Sequence, residues 1–287
     1  MQNDLRQLTK KDYPALLREI PDPPERLWMR GSWPAKGSAS LAVVGSRAAT
    51  SYGKEALAKL IGGLAGYPIS IVSGLALGID GAAHRAALAA GLHTLAIPGS
   101  GLDESVLYPS AHRDLAEQIL AAGGALLSEH DKMHHARAYD FPSRNRLMVG
   151  LSDAVLVIEA GARSGTLITA RLTSEYNREL LCVPHRIGDP HGYGAHLFLR
   201  LGATLVSDSL HILEALKIPP RENAAERPAP EDLSDAEQVV YLLLKKPMPR
   251  DELIRAAGIP ANDALTALVS LELRGVLKEE FGAWRRV

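Results

Sequence analysis

Short apolar runs without polar alternation recur along most of the chain, and they limit the possible folds more than any other feature. They lie at residues 41–44, 69–72, 94–97, 125–127, 154–158, 180–183 and 204–206. A strand with one wet face alternates apolar and polar side chains, whereas a strand covered on both faces does not. Between most runs lie segments with apolar residues at helical spacing, such as Ala56, Leu57, Leu60, Ile61 and Leu64. Strand–helix repetition of this kind predicts an α/β fold: a doubly wound, mostly parallel sheet with right-handed crossovers.

Length and composition bound the rest. A chain of 287 residues has room for one large domain and a small one. With 46% apolar and 23% charged residues it is outside the disordered class. No apolar stretch reaches the roughly 18 residues of a membrane span. The start, Met1-Gln2-Asn3-Asp4-Leu5-Arg6, lacks the apolar core of a signal peptide. The single cysteine, Cys182, excludes an internal disulfide and a zinc–thiolate cluster, so a cytoplasmic protein is expected. The net charge is −1, and any nucleic-acid partner must be held by a local patch. Residues 219–230, with prolines at both ends and no apolar period, read as a connector. The expected organisation is a lead-in at 1–37, a core at 38–217, a linker at 218–232 and a small module at 233–287, with residues 222–287 net acidic.

Almost every expected strand ends in Gly, Ser or Pro. Gly45-Ser46-Arg47, Ser73-Gly74, Pro98-Gly99-Ser100-Gly101 and Ser164-Gly165-Thr166 follow four of them. Open α/β sheets bind ligands outside the carboxyl ends of their strands. Glycine there lets a ligand approach the backbone, and the next helix offers N–H groups to an anion. Any one such turn is ordinary; four along one edge point to a phosphate-binding edge. The usual nucleotide fingerprints are missing. No GxxxxGK[ST] occurs, and Glu104 stands where the GxGxxG pattern after Gly99 needs glycine.

The sharpest segment runs from Phe141 to Ser152. Pro142 suits a helix start, and Arg144 and Arg146 fall in the first turn, where cations oppose the helix dipole. A phosphate partner would justify that cost; the alternative is an ion pair to Asp140 or Glu129. Two residues apart on a helix, the arginines cannot share one phosphate. Phe141 either stacks on a base or plugs the core. His130, His134 and His135 share a loop with Asp131 but have no HExxH spacing, so neither a metal nor a cofactor is expected. His84 reads as a buried hydrogen-bonding residue and Cys182 as inert.

These motifs, with Gly78-Ile79-Asp80-Gly81-Ala82-Ala83-His84, Tyr108-Pro109, Leu127-Ser128-Glu129 and Leu167-Ile168-Thr169-Ala170, resemble the DNA-processing protein A (DprA/Smf) family. They occur in the family's order over about residues 40–207. The resemblance implies a Rossmann-like domain that binds single-stranded DNA in a basic pocket. The residues it points to are Ser46, Arg47, Ser73, Gly74, Gly99, Phe141, Arg144, Asn145, Arg146, Ser164, Gly165 and Thr166. It also implies a homodimer that helps load RecA recombinase onto incoming strands during natural transformation. Apolar surface for the dimer is expected near 197–201 and 212–216. The chain departs from the family at His112, His185 and His196, and the family's long first helical domain is expected to be absent or reduced to residues 1–37.

The C-terminal module resembles the family's winged helix. Helices are expected at 235–244, 250–257 and 261–274, and a hairpin at 276–287. Such modules place the third helix in a DNA groove. Here that helix carries Asp263 and Glu272 against Arg274, so little phosphate neutralisation is expected. Trp284, Arg285 and Arg286 are better placed if they sit at the hairpin tip.

A different class is a nucleoside-monophosphate phosphoribohydrolase of related fold. That family uses Pro-Gly-Gly-x-Gly-Thr-x-x-Glu. Here Arg163 replaces a glycine and Thr169 the catalytic Glu, leaving only Glu159 or Glu175 as substitutes.

Overall fold

A computed structural model describes residues 5–162, 164–221, 230, 232–244, 247–280 and 282–286. Arg163 and most of the expected linker, 222–229 and 231, lie outside the described residues. The chain divides into two compact units, Met1–Pro219 and Pro220–Val287.

The first unit runs β1 (Arg6–Thr9), α1 (Ala15–Arg18), β2 (Arg26–Gly31), β3 (Ala39–Val44), α2 (Ser51–Gly62), β4 (Ile69–Ser73), α3 (Ile79–Ala89), β5 (His93–Ala96), α4 (Arg113–Ala121) and β6 (Ala125–Ser128). It continues with α5 (Asp140–Gly150), β7 (Ala154–Val157), α6 (Thr166–Glu175), β8 (Glu179–Cys182), α7 (Tyr193–Arg200), β9 (Thr204–Leu205) and α8 (Ser209–Ala215). Nine strands form one sheet in the order β1-β2-β6-β5-β4-β3-β7-β8-β9. The seven strands from β6 to β9 are parallel, as the unalternating runs predict. Both faces are covered. Leu41 and Val43 of β3 pack into one core layer, and Ala42 and Val44 into the other.

The lead-in is more ordered than the sequence pattern indicates. β2 pairs antiparallel with β6, and β1 antiparallel with β2. Leu27 and Met29 alternate with Arg26, Trp28 and Arg30, so Leu27 and Met29 are buried. Tyr13, Leu17 and Ile20 join the same core.

The chain steps outward from β3 through β4, β5 and β6, then returns to place β7 on the other side of β3. The crevice between the carboxyl ends of β3 and β7 is therefore the topological switch point. One buried side chain ties its two sides together. Glu159, just past β7, is fully buried. It accepts hydrogen bonds from Thr50 N–H (3.0 Å) and from the Thr50 hydroxyl (2.8 Å). Thr50 in turn caps α2 by accepting from Gly53 N–H. A Cβ on Gly53 would come within 2.6 Å of the Glu159 carboxylate, so glycine is required there.

The second unit contains α9 (Asp235–Leu243), β10 (Met248–Pro249), α10 (Arg250–Ala257), α11 (Ala261–Leu273), β11 (Leu277–Glu280) and β12 (Ala283–Arg286), with sheet order β10-β12-β11. This is the winged helix with one strand, β10, that the sequence reading missed. Ser234 and Glu237 form a capping box at the start of α9. Trp284 is not at a tip: it is buried against Tyr241, Leu253 and Leu268. Arg286 lies over the Tyr241 ring and donates to the Tyr241 carbonyl. The exposed face of α11 carries Leu265, Val269 and Leu273.

Glu159→Ala would leave the Thr50 N–H and hydroxyl without partners in the core. The expected loss is about 2–4 kcal/mol of stability, read by urea unfolding.

Candidate functional site

A cavity of about 910 Å³ opens at the switch point. The loop after β3 (Gly45 to Ala48), the first turn of α3, α5, the turn entering α6 and the loop after β8 line it. Eight of the twelve expected residues reach it: Ser46, Arg47, Phe141, Arg144, Asn145, Ser164, Gly165 and Thr166.

Three more support the wall from behind. Ser73 is buried and its hydroxyl donates to the Val43 carbonyl (2.7 Å), locking β4 to β3. Gly74 lies against the Arg144 guanidinium, and a Cβ there would overlap it. Gly99 packs flat against the Phe141 ring, where a Cβ would come to 2.9 Å. The twelfth, Arg146, lies off the cavity. Its guanidinium pairs with Glu129 (2.5 Å) and with Asp22 (3.5 Å).

Arg144 is almost fully buried. It donates to the Ile97 carbonyl (2.7 Å) and stands 3.9 Å from Asp80. It presents positive charge to the cavity from a fixed position. Burial pushes the Asp80 carboxyl above its ordinary range; Arg144 beside it and the N–H groups of Ala76 and Gly74 push it back. Sequence reasoning did not single out Asp80 as a wall residue, because its partner Arg144 is 64 positions away and only the fold brings them together.

Arg47 is exposed at the rim, with its guanidinium 4.7 Å above the Phe141 ring. The half-exposed Tyr108 also meets Phe141, ring centroids 5.6 Å apart and planes tilted by 53°. These three form an aromatic and cationic shelf that the sequence shows only in pieces. Opposite it, α6 begins at Thr166. Its first turn is tightened by Ser164, whose hydroxyl donates to the Thr166 hydroxyl (2.8 Å) and accepts from the Thr166 N–H. A helix start facing a cavity favours an anion.

The departures from the family pattern make structural contacts. His112 holds the carbonyl of Leu75, a residue at φ +59° (2.7 Å). His185 reaches the Ile158 carbonyl (2.8 Å), and His196 reaches the His185 carbonyl (3.0 Å), tying the exit of β8 to β7. The hydrolase reading lacks its acid. Glu159 is committed to Thr50. Glu175 sits at the far end of α6, paired with Arg171 (2.7 Å). Among the described residues lining the cavity, Asp80 is the single carboxylate, and Arg144 holds it.

Fold and site together define a doubly wound α/β protein with a crevice at its switch point lined by cations, hydroxyls and a helix start. Comparison with known proteins narrows this. Residues 5–217 match the profile of the DNA recombination-mediator protein A family, and residues 223–282 match the DprA winged helix domain. Protein Smf of Escherichia coli (strain K12) is 38% identical over 282 residues, covering 96% of this chain and 75% of that protein. DNA processing protein DprA of Streptococcus pneumoniae is 40% identical over 201 residues, 70% of each. The structure of the S. pneumoniae protein superposes with a TM-score of 0.69 at 37% identity, covering 76% of this chain and 75% of that one. A DprA from Helicobacter pylori, described for its unique single-stranded DNA binding mode, superposes with a TM-score of 0.66 at 29% identity, covering 75% and 97%. The chain belongs to the DprA/Smf family of DNA recombination mediators.

His84 beneath the site adds a pH dependence. Its Nδ1 lies 2.7 Å from the Thr94 hydroxyl. That hydroxyl donates to Ile71, so Nδ1 carries the proton. Burial drops the His84 pKa from 6.5 to about 3. The folded state therefore refuses a proton that the unfolded chain accepts below about pH 6.5. Stability from this group is complete above that pH and falls by about 1.4 kcal/mol per unit between pH 6.5 and 3. From pH 6.5 to 5 the loss should be on the order of 2 kcal/mol, and His84→Gln should flatten it in urea titrations across pH.

Proposed function

We propose that this protein is a non-catalytic single-stranded DNA binder that protects incoming strands and helps load RecA during natural transformation, as a cytoplasmic homodimer. The observation that carries the reading is the crevice itself. The buried cation of Arg144, the rim cation of Arg47, the carboxamide of Asn145, the hydroxyls of Ser164 and Thr166 and a helix start suit backbone phosphates. The Arg47–Phe141–Tyr108 shelf suits bases, because stacking on aromatic rings tolerates any sequence. Duplex DNA is stiff over roughly 150 base pairs and cannot dip into a cavity of this size; a single strand can. The H. pylori relative's described binding of single strands supports the same reading. Arg146, paired away from the cavity, contributes through the placement of α5.

Fluorescence anisotropy with labelled oligo-dT and a duplex of equal length, across a salt series, tests this. Oligo-dT is expected to bind at least tenfold more tightly. Arg47→Ala should weaken it severalfold and lower the salt slope by about 0.7, the share of one phosphate contact on a single strand. Arg146→Ala, if folded, should leave the slope unchanged. Equal binding of both DNAs, or an unchanged slope in a folded Arg47→Ala, would reject the placement.

The winged helix contributes little to this binding, because the outer face of α11 carries leucines and valine where phosphate contacts would need cations. Removing residues from Glu222 onward should keep oligo-dT affinity within about threefold, or 0.7 kcal/mol.

Self-association uses the β9 edge of the sheet. Leu201 just past α7, Leu205 on β9 and Leu210 on α8 are exposed, whereas Ile212 and Leu213 are buried and cannot serve. Light scattering at tens of micromolar should give a mass twice the 30.8 kDa of one chain, and Leu201→Glu should return it to one.

A further inference from the structure

The loop between β6 and α5 curls so that His130 and His134 meet Asp140, the first residue of α5. Nε2 of His134 lies 2.8 Å from Oδ2 of Asp140, and Nε2 of His130 lies 3.7 Å from Oδ1. The two imidazoles are stacked, with centroids 4.1 Å apart and planes 16° from parallel. One ligand atom from each of the three residues falls within 4.8 Å of the others. We propose that His130, His134 and Asp140 bind one divalent first-row transition ion, Zn²⁺ by preference, which clamps the loop to the first turn of α5.

Donors arranged tetrahedrally around an ion at 2.0–2.1 Å stand about 3.3 Å from one another. The two observed nitrogen–oxygen separations bracket that spacing, and binding turns the stacked rings out of parallel to aim both nitrogens at one ion. Two imidazole nitrogens with one carboxylate suit Zn²⁺, Co²⁺ or Ni²⁺; Mg²⁺ and Ca²⁺ favour all-oxygen sites. The ligands are held before any ion arrives. Asp140 is buried and also accepts from the Arg137 N–H (2.7 Å). The backbone of His134 is bonded to Asp131 and Gly101, and the His130 N–H to the Ser128 hydroxyl. Such outer contacts raise metal affinity. Both imidazoles keep about a fifth of their surface exposed, which gives an ion access. Asp131, the acid nearest in sequence, is turned away toward Arg26.

The test titrates the full chain with Co²⁺ and reads the visible d–d band, then displaces the ion with Zn²⁺. One equivalent per chain is expected, with the band bleached by Zn²⁺. His130→Ala and His134→Ala should each weaken binding by roughly tenfold or more, whereas Asp131→Asn and His135→Ala should not. On the unmutated protein, Zn²⁺ should shield His130 and His134, but not His135, from carbethoxylation mapped by mass spectrometry. Absence of a band at tens of micromolar, a band undiminished in both histidine variants, or equal labelling with and without Zn²⁺ would overturn the proposal. None of these readouts involves DNA, so the outcome is independent of the binding function proposed above.

Discussion

The contact between Glu159 and Thr50 is the constraint on which the crevice depends. A parallel sheet separates at its switch point, because the connections from β3 and β7 leave in opposite directions. Glu159 crosses that gap and satisfies the start of α2 with a carboxylate supplied by the β7 side. The loop carrying Ser46 and Arg47 and the turn carrying Ser164 and Gly165 are thereby fixed across from each other. The contact also makes the two neighbouring helix starts unequal. That of α2 already has an internal carboxylate, while that of α6 faces the cavity. Of these two helix starts, only that of α6 is open to negative charge from the cavity.

Much of this was readable from the chain, for a physical reason. Strands covered on both faces leave unbroken apolar runs, and all seven runs became parallel strands. β1 and β2 escaped detection because they bury only alternate residues, such as Leu27 and Met29 between Arg26, Trp28 and Arg30, and so leave no unbroken apolar run. The turns at the carboxyl edge were visible because glycine and serine have few other reasons to follow every strand. The division of labour between Arg144 and Arg146 was not visible. Both occupy the first turns of one helix, and their partners Ile97, Asp80, Glu129 and Asp22 come from four separate places in the sequence. The sequence groups His130, His134 and His135 with Asp131 and gives no reason to expect a metal there; that His130 and His134 face Asp140 instead is visible only in the fold.

The winged helix shows the opposite balance. Its helices follow from periodicity and its capping box from Ser234 and Glu237, yet Trp284 went inward because β10 supplies a third strand for it to pack behind. A two-residue strand has too few positions to leave a pattern.

Arg144 joins two properties that are usually separable. Its charge gives the cavity its polarity, and its packing against Gly74, Ile97 and Asp80 is part of the core. A side chain with both duties has almost no room to vary, since any change that retunes the field also opens a void beside an unpaired acid. Adjustment of grip must therefore fall to the rim, where Arg47 can be exchanged at small cost to the fold. The crevice has a floor that is part of the core and a lip of exposed side chains.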